Sequence, residues 1–126
     1  VYFSRIAEHR STCGAGEPTA VVHDEYQPTG GIARHVRAEA PTCSFYDCGR
    51  RSRDSDIDHD TPWPRGPTSV TNLDPKCRRH HNLKTSGLVA TRLRAGPGNG
   101  ARTVGWTLPG GLCVTTQPVP LPGCSR

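Results

Sequence analysis

Apolar positions are sparse along this chain, and their spacing changes from helical to alternating on the way from one end to the other. Ile32, Val36 and then Glu39 recur at helical spacing after Gly30 and Gly31. This predicts a short helix over residues 32–39, ended by Ala40-Pro41, because a residue before proline avoids helical geometry. His35 on that helix has no partner in sequence and is expected at the surface. Upstream, Ala20-Val21-Val22-His23 reads as a short strand, and Ile57 alternates with Asp54, Asp56, Asp58 and Asp60 as on a half-exposed strand. Pro62, Pro64, Gly66 and Pro67 mark a loop in which Trp63 is expected to cap the core. Asp74 suits an N-cap, Pro75 a first helical position and Gly87 a stop, so a second helix is predicted from residue 75 to about 85. Beyond it, Val89-Ala90-Thr91-Arg92-Leu93 alternates and residues 96–100 form a loop. Residues 103–108 and 112–116 flank Pro109-Gly110-Gly111 as a hairpin. The pattern is that of a small α+β domain over residues 30–116, with a poorly defined segment at 1–29 and an irregular tail at 117–126.

Composition makes the thin core explicit. Only 33% of the 126 residues are hydrophobic, against 14 Gly and 12 Pro. A core this poor is marginal without a covalent or metal staple, which directs attention to the six Cys. No apolar run approaches the roughly 20 residues that span a bilayer, so no membrane association is expected. Val1-Tyr2-Phe3-Ser4-Arg5 lacks the parts of a secretory signal, and a reducing, cytoplasmic location is expected. The chain has no Met, so it is expected to be a fragment of a larger protein.

In that setting Cys pairs read as metal ligands before disulfides. Cys43-x4-Cys48 and Cys77-x2-His80 have the ligand types and spacings of a closed tetrahedral zinc site. One pair would come from a tight turn and the other from the second helix, so that Zn²⁺ pins turn to helix. The plainer alternative is a Cys43–Cys48 disulfide with Cys77 free and both histidines on the surface. Cys113 and Cys124 lie outside the spacing pattern and are expected at most to pair with each other, and Cys13 has no evident partner.

The candidate chemistry surrounds the zinc pattern. His59 is the expected general base, since a neutral imidazole near pH ~7 can take a proton from water attacking phosphorus. Charge then building on phosphate and leaving oxygens calls for a divalent cation. Asp58, next to His59, would point to the other side of a strand unless a bend or bulge brings both to one site. His81 projects about 100° round the helix from His80, so one helix can face two metals. Asn72 either braces the loop carrying His59 or fixes the orientation of its ring. Taken singly, Asp58 reads as a solvated acid, Asn72 as a turn residue and His81 as a surface histidine. The ordered set is what carries the reading.

Asp58-His59, Asn72 and His81, within Thr68-Ser69-Val70-Thr71-Asn72-Leu73 and Cys77-Arg78-Arg79-His80-His81-Asn82-Leu83-Lys84-Thr85, resemble the HNH endonucleases. More narrowly, residues 26–118 are similar to the C-terminal HNH module of actinobacterial proteins of the 13E12 repeat type, which carry a DUF222 region upstream. The resemblance implies a ββα-metal (His-Me finger) core with structural zinc, flanked by the short N-terminal helix and the C-terminal hairpin. It implies His59 as general base, Asp58 and His81 as ligands of a catalytic divalent cation (Mg²⁺, Mn²⁺ or another transition metal), and Asn72 in support. Two departures stand out: His80 occupies a position where many zinc-bearing relatives have Cys, and Glu39-Ala40-Pro41 replaces an expected Arg-Asp pair.

The net charge of +5 favours a polyanionic partner. Arg50, Arg51, Arg53, Arg92 and Arg94 flank the presumed site, and Arg78, Arg79 and Lys84 on the metal helix are the preferred phosphate contacts. Together these readings point to a metal-dependent DNA endonuclease. The alternatives are a non-catalytic, zinc-stapled nucleic-acid-binding module and a secreted disulfide-stapled domain.

Overall fold

The computed structural model describes residues 22–95 and 102–122. Expectations for Cys13, Ala20, Val21, the 96–100 loop and Cys124 lie outside these residues. In chain order the elements are β1 (Val22–His23), α1 (Gly30–Glu39), a 3-10 turn (Ser52–Asp54), β2 (Asp56–His59), β3 (Thr68–Ser69), β4 (Leu73–Lys76), α2 (Arg78–Thr85), β5 (Ala90–Arg94), β6 (Thr103–Thr107) and β7 (Cys113–Thr116). They form a small α+β fold of three antiparallel sheets, β1-β3, β2-β4 and β5-β6-β7. No helix among the described residues is long and apolar enough to cross a membrane.

The periodicity over residues 32–39 does make a helix, extended back to Gly30 and capped by Thr29, whose Oγ1 accepts the Ile32 N–H at 3.1 Å. Ile32 and Val36 pack with Val70, Leu73 and Ile57 in one small apolar cluster. His35 corrects the surface expectation: it is buried, with its Nε2 3.4 Å from Glu39 Oε2 one turn away. A second cluster gathers Val89, Val104 and Trp106 with Phe45, Leu83, Leu93, Leu108 and Val114. Trp106, not Trp63, is the core tryptophan. It is fully buried and donates from Nε1 to Ser44 O at 3.0 Å, whereas Trp63 is half-buried beside His59.

The start of the second helix differs from the local signals. Asp74 and Pro75 lie in β4, paired residue for residue with β2 (Asp58 opposite Asp74, Ile57 opposite Pro75), and α2 begins only after Cys77. Four buried residues in register against β2 outweigh the preference of an Asp-Pro pair for a helix start. Proline is tolerated here because the sheet has only two strands, and Pro75 O still accepts the Ser44 N–H at 3.0 Å. The other end is as predicted: α2 stops at Thr85, and Gly87 takes a φ of +85°. The β6–β7 hairpin also forms as predicted, through Gly110 and Gly111 at φ +88° and +89°. Residues 22–29, expected to be poorly defined, pack onto the domain through pairing of Val22 with Ser69 and His23 with Thr68. Residues 117–122 are irregular, and Leu121 N–H reaches Ala38 O at 2.9 Å.

Ionised groups fill the space beside the first apolar cluster. Arg102, 3% exposed, donates to Leu73 O (2.7 Å), Val70 O (3.0 Å) and Glu39 Oε1 (3.2 Å), with Asp74 Oδ1 at 3.5 Å. Asp74 Oδ2 in turn faces Lys76 Nζ at 3.1 Å, and both residues are fully buried. Burial alone would lower the Lys76 ammonium, but the Asp74 and Asp58 carboxylates outweigh it and hold its pKa above the ordinary value. Removing one partner of such a group strands the others. Arg102→Leu is therefore expected to cost about 3–5 kcal/mol in urea unfolding of the metal-loaded protein; a change under ~1 kcal/mol would show that Glu39 and Asp74 find other compensation.

Candidate functional site

Four of the predicted ligands converge. The Cys43 turn is closed by Cys43 N–H to Arg50 O (2.8 Å) and Cys48 N–H to Phe45 O (3.1 Å), with Asp47 at φ +58°. Cys77 directly follows β4 as the N-cap of α2, and His80 follows in the first turn. The ligand atoms of Cys43, Cys48, Cys77 and His80 all lie within 4.8 Å of one another. His80 Nδ1 stands 3.5 Å from Cys43 Sγ and 3.2 Å from Cys77 Sγ. Zinc with Zn–S of about 2.3 Å and Zn–N of about 2.0–2.1 Å in a tetrahedron separates S from N by roughly 3.5 Å. The donor set and its spacing thus fit such an ion, and Cys43, Cys48 and Cys77 are free thiols, not disulfide partners. Cys113 is a free, exposed thiol.

Electrostatics agree with ligation. Burial pushes the Cys43 thiol up to about 12, so a thiolate there needs an adjacent cation. At Cys77 burial also opposes ionisation, but the His80 N–H, the Cys43 side chain and the Arg79 N–H together pull the thiol below its usual value. Burial and the Arg79 charge lower His80, favouring the neutral imidazole a metal requires. Phe45 stacks on His80 at 4.0 Å between ring centroids and meets Trp106 edge-on, which ties the cluster to the second apolar core.

The next residue of α2 reaches a second site. Asp56 and Asp58 share one face of β2, and His81 lies between them: Nδ1 is 2.8 Å from Asp56 Oδ2 and Nε2 is 3.2 Å from Asp58 Oδ1. Asp58 Oδ2 faces Lys84 Nζ at 2.6 Å and Lys76 Nζ at 3.4 Å. Burial would raise the Asp58 carboxyl, but Lys76, Lys84 and His81 outweigh it and hold it below the ordinary range. Lys84 corrects an expectation. Its ammonium donates to Asp58 Oδ2, His59 O (2.7 Å) and Asp60 O (3.4 Å), so it staples α2 to β2 instead of offering a free charge to phosphate. Arg78 likewise pairs with Asp56 Oδ1 at 3.1 Å, while Arg79 is exposed beside the Cys43 turn.

His59 ends β2, 5% exposed, with Nε2 2.8 Å from Thr68 Oγ1. The Thr68 hydroxyl is 2.6 Å from Glu25 O. Tyr26 stacks on the imidazole at 5.1 Å and Trp63 leans against it at 5.9 Å. Burial lowers the His59 pKa; Asp58 pulls it up and Lys84 down, leaving it below the ordinary imidazole value. The β2–β4 register runs unbroken through Asp58 and His59, so no bulge turns the two side chains to one face. Both residues nevertheless line one cleft of about 300 Å³ with Tyr26, Trp63 and Lys84, and His81 lines a neighbouring cleft of about 460 Å³. Of the two roles open to Asn72, the geometry matches the brace. Its amide accepts from Thr61 N–H (2.9 Å) and donates to Thr61 O (3.0 Å) and Pro67 O (2.9 Å), and it makes no bond to His59. Gly66 leaves room for it, since a Cβ there would lie 2.6 Å from Asn72 Nδ2. Asp56, Thr68 and Tyr26 join the site only through the fold. Only Asp56 carried a signal, its two-residue spacing from Asp58 on a predicted strand.

No protein-family model matches the chain, and no solved structure matches it. The chain is similar to two Mycobacterium tuberculosis (strain ATCC 25618 / H37Rv) proteins. It is 42% identical over 95 residues to uncharacterized protein Rv2100, covering 74% of this chain and 16% of that protein. It is 40% identical over 95 residues to uncharacterized protein Rv3776, covering 74% and 17%. The chain spans about a sixth of the length of these curated relatives.

Protein purified without added metal is expected to carry one zinc per chain by elemental analysis. Cys48→Ser should lose most of that zinc and melt early, and a variant with full occupancy would remove Cys48 from the ligand set.

Proposed function

We propose that this chain is a metal-dependent DNA endonuclease of the HNH type, in which His59 takes a proton from the attacking water beside a divalent cation held by Asp58 and His81. The observation that carries the reading is the 3.2 Å separation of His81 Nε2 and Asp58 Oδ1. Two ligands at about 2.0–2.2 Å from one ion stand at roughly this distance. The order β2, β4, α2 supports it, with His59 at the end of β2, Asn72 just before β4 and His81 on the helix that follows.

The local bonds give His59 its direction. The Thr68 hydroxyl has one proton, directed to Glu25 O, so its oxygen accepts from His59 Nε2–H. The lone pair that acts as base is then on Nδ1. Water adds to phosphorus as its proton passes to Nδ1, the bond from phosphorus to the 3′ oxygen breaks, and that oxygen takes a proton from solvent. The products carry 5′-phosphate and 3′-hydroxyl ends. When bound, the cation supplies positive charge to the phosphate and leaving oxygens. Asn72 acts through the 60–67 loop, which it holds against the end of β2. Arg79 and Arg50 bring positive charge beside the Cys43 turn, and a net charge of +5 gives salt-sensitive attraction to duplex phosphates.

The Lys84–Asp58 pair at 2.6 Å favours a second reading, since an ammonium already neutralises the carboxylate where a cation would sit. In that case the chain is a non-catalytic, zinc-stapled nucleic-acid-binding module, and it retains DNA without nicking it under Mg²⁺, Mn²⁺ or Ni²⁺.

His59→Ala is expected to lower plasmid nicking by about 10²–10⁴-fold with zinc content and circular dichroism unchanged; nicking at the wild-type rate would refute the base assignment. A lowered pKa keeps the imidazole neutral through pH 7 and protonates it only under more acidic conditions. The acid limb of the rate should therefore be centred below the ordinary imidazole pKa of about 6.5. An acid limb centred above neutrality would contradict the buried environment of His59.

A further inference from the structure

His81 is held from both sides, and the mechanism above uses only one of them. Its Nε2 faces Asp58, while its Nδ1 lies 2.8 Å from Asp56 Oδ2, a shorter contact than the one to Asp58 at 3.2 Å. Asp56 is itself held: its other oxygen accepts from Arg78 Nη2 at 3.1 Å, and its strand position is set by pairing with Lys76. The three residues come from two elements. Asp56 stands two positions before Asp58 on the same face of β2, and Arg78 and His81 stand three apart on α2, so their side chains reach the same side of the helix.

Resting on the proposed cation site, we infer that Asp56 is a positioning residue for His81. Its carboxylate accepts the Nδ1–H, which leaves the Nε2 lone pair directed at the ion shared with Asp58. An imidazole presents two chemically similar nitrogens and can rotate about its Cβ–Cγ bond. One strong acceptor on Nδ1 removes both freedoms, since it sets the tautomer and the ring plane together. A carboxylate in this place also makes Nε2 a better donor to a cation. Arg78 keeps Asp56 from turning toward the ion itself, because each Asp56 oxygen already faces a donor. This gives Arg78 a role inside the protein, distinct from the phosphate contact expected from its place on the metal helix.

The test uses the zinc-loaded chain and Mn²⁺ alone as probe, followed by electron paramagnetic resonance of the free ion. Wild type is expected to bind one Mn²⁺, and His81→Ala to abolish that binding. Asp56→Ala should weaken it by about 10–100-fold, and Asp56→Asn, whose amide oxygen still accepts from Nδ1–H, should recover most of the affinity. A second readout is independent of catalysis: the ¹⁵N shifts of the neutral His81 ring, recorded without Mn²⁺. Wild type and Asp56→Asn should show Nδ1–H, and Asp56→Ala a shift toward Nε2–H. A surface ion pair that merely joined β2 to α2 would not move the tautomer. A direct ligand role for Asp56 would make the Asn variant as weak as the Ala variant. Unchanged Mn²⁺ affinity in Asp56→Ala, absence of Mn²⁺ binding in wild type, or Nε2–H in wild-type His81 would each overturn the inference. If instead all variants behave as expected while wild type cuts no DNA, the nuclease reading falls and the positioning role stands.

Discussion

The convergence of Cys43, Cys48, Cys77 and His80 is the constraint from which the rest of the arrangement follows. It sets the residue at which β4 gives way to α2, and it holds the first turn of that helix against the Cys43 turn. His81 is the next residue, about 100° round the helix axis, so a fixed His80 directs His81 toward β2. Lys84 then lies three residues further on, where its ammonium reaches Asp58 and the carbonyls at the end of β2. A helix of eight residues has little stability of its own, and here each end and each face is tied to something outside it.

Charge burial is the second organising feature. Glu39, Arg102, Asp74 and Lys76 form a chain of ion pairs beside a small apolar cluster, and Lys76 is shared between Asp74 and Asp58. The interior network therefore ends at a carboxylate of the candidate site. Each member is costly to bury singly and is tolerated because its neighbours carry the opposite sign. The same neighbours keep Asp58 ionised, the state in which it can hold a cation.

The two candidate centres differ in how many donors the protein supplies. The Cys-His cluster is walled by Phe45 and Trp106 and closed by four protein donors, as suits a structural ion. At Asp58, His59 and His81, which line two clefts, two atoms lie at a spacing that suits ligands of one ion. An exchangeable cation with room for a phosphate is the arrangement the proposed chemistry requires.

Local spacing was enough for the two residue pairs of the Cys-His cluster, the helix over α1, the Gly87 stop and the β6–β7 hairpin, because each depends on residues within a few positions of one another. The Asp74-Pro75 pair shows the limit. Its helix-start signal is local, whereas the pairing partners that override it, Asp58 and Ile57, lie sixteen and eighteen residues earlier in β2. His35 is a similar case, since a titratable side chain reads as exposed until its buried partner is known. The contacts of Thr68 with His59, Asp56 with His81 and Asn72 with the 60–67 loop also depend on chain returning from a distance. By itself the sequence determined which residue types were available for ligation and proton transfer, because chemistry resides in the side chain. Only the tertiary structure decided which nitrogen faces which oxygen, because that depends on strand register and helix rotation, set by contacts spread over the whole domain.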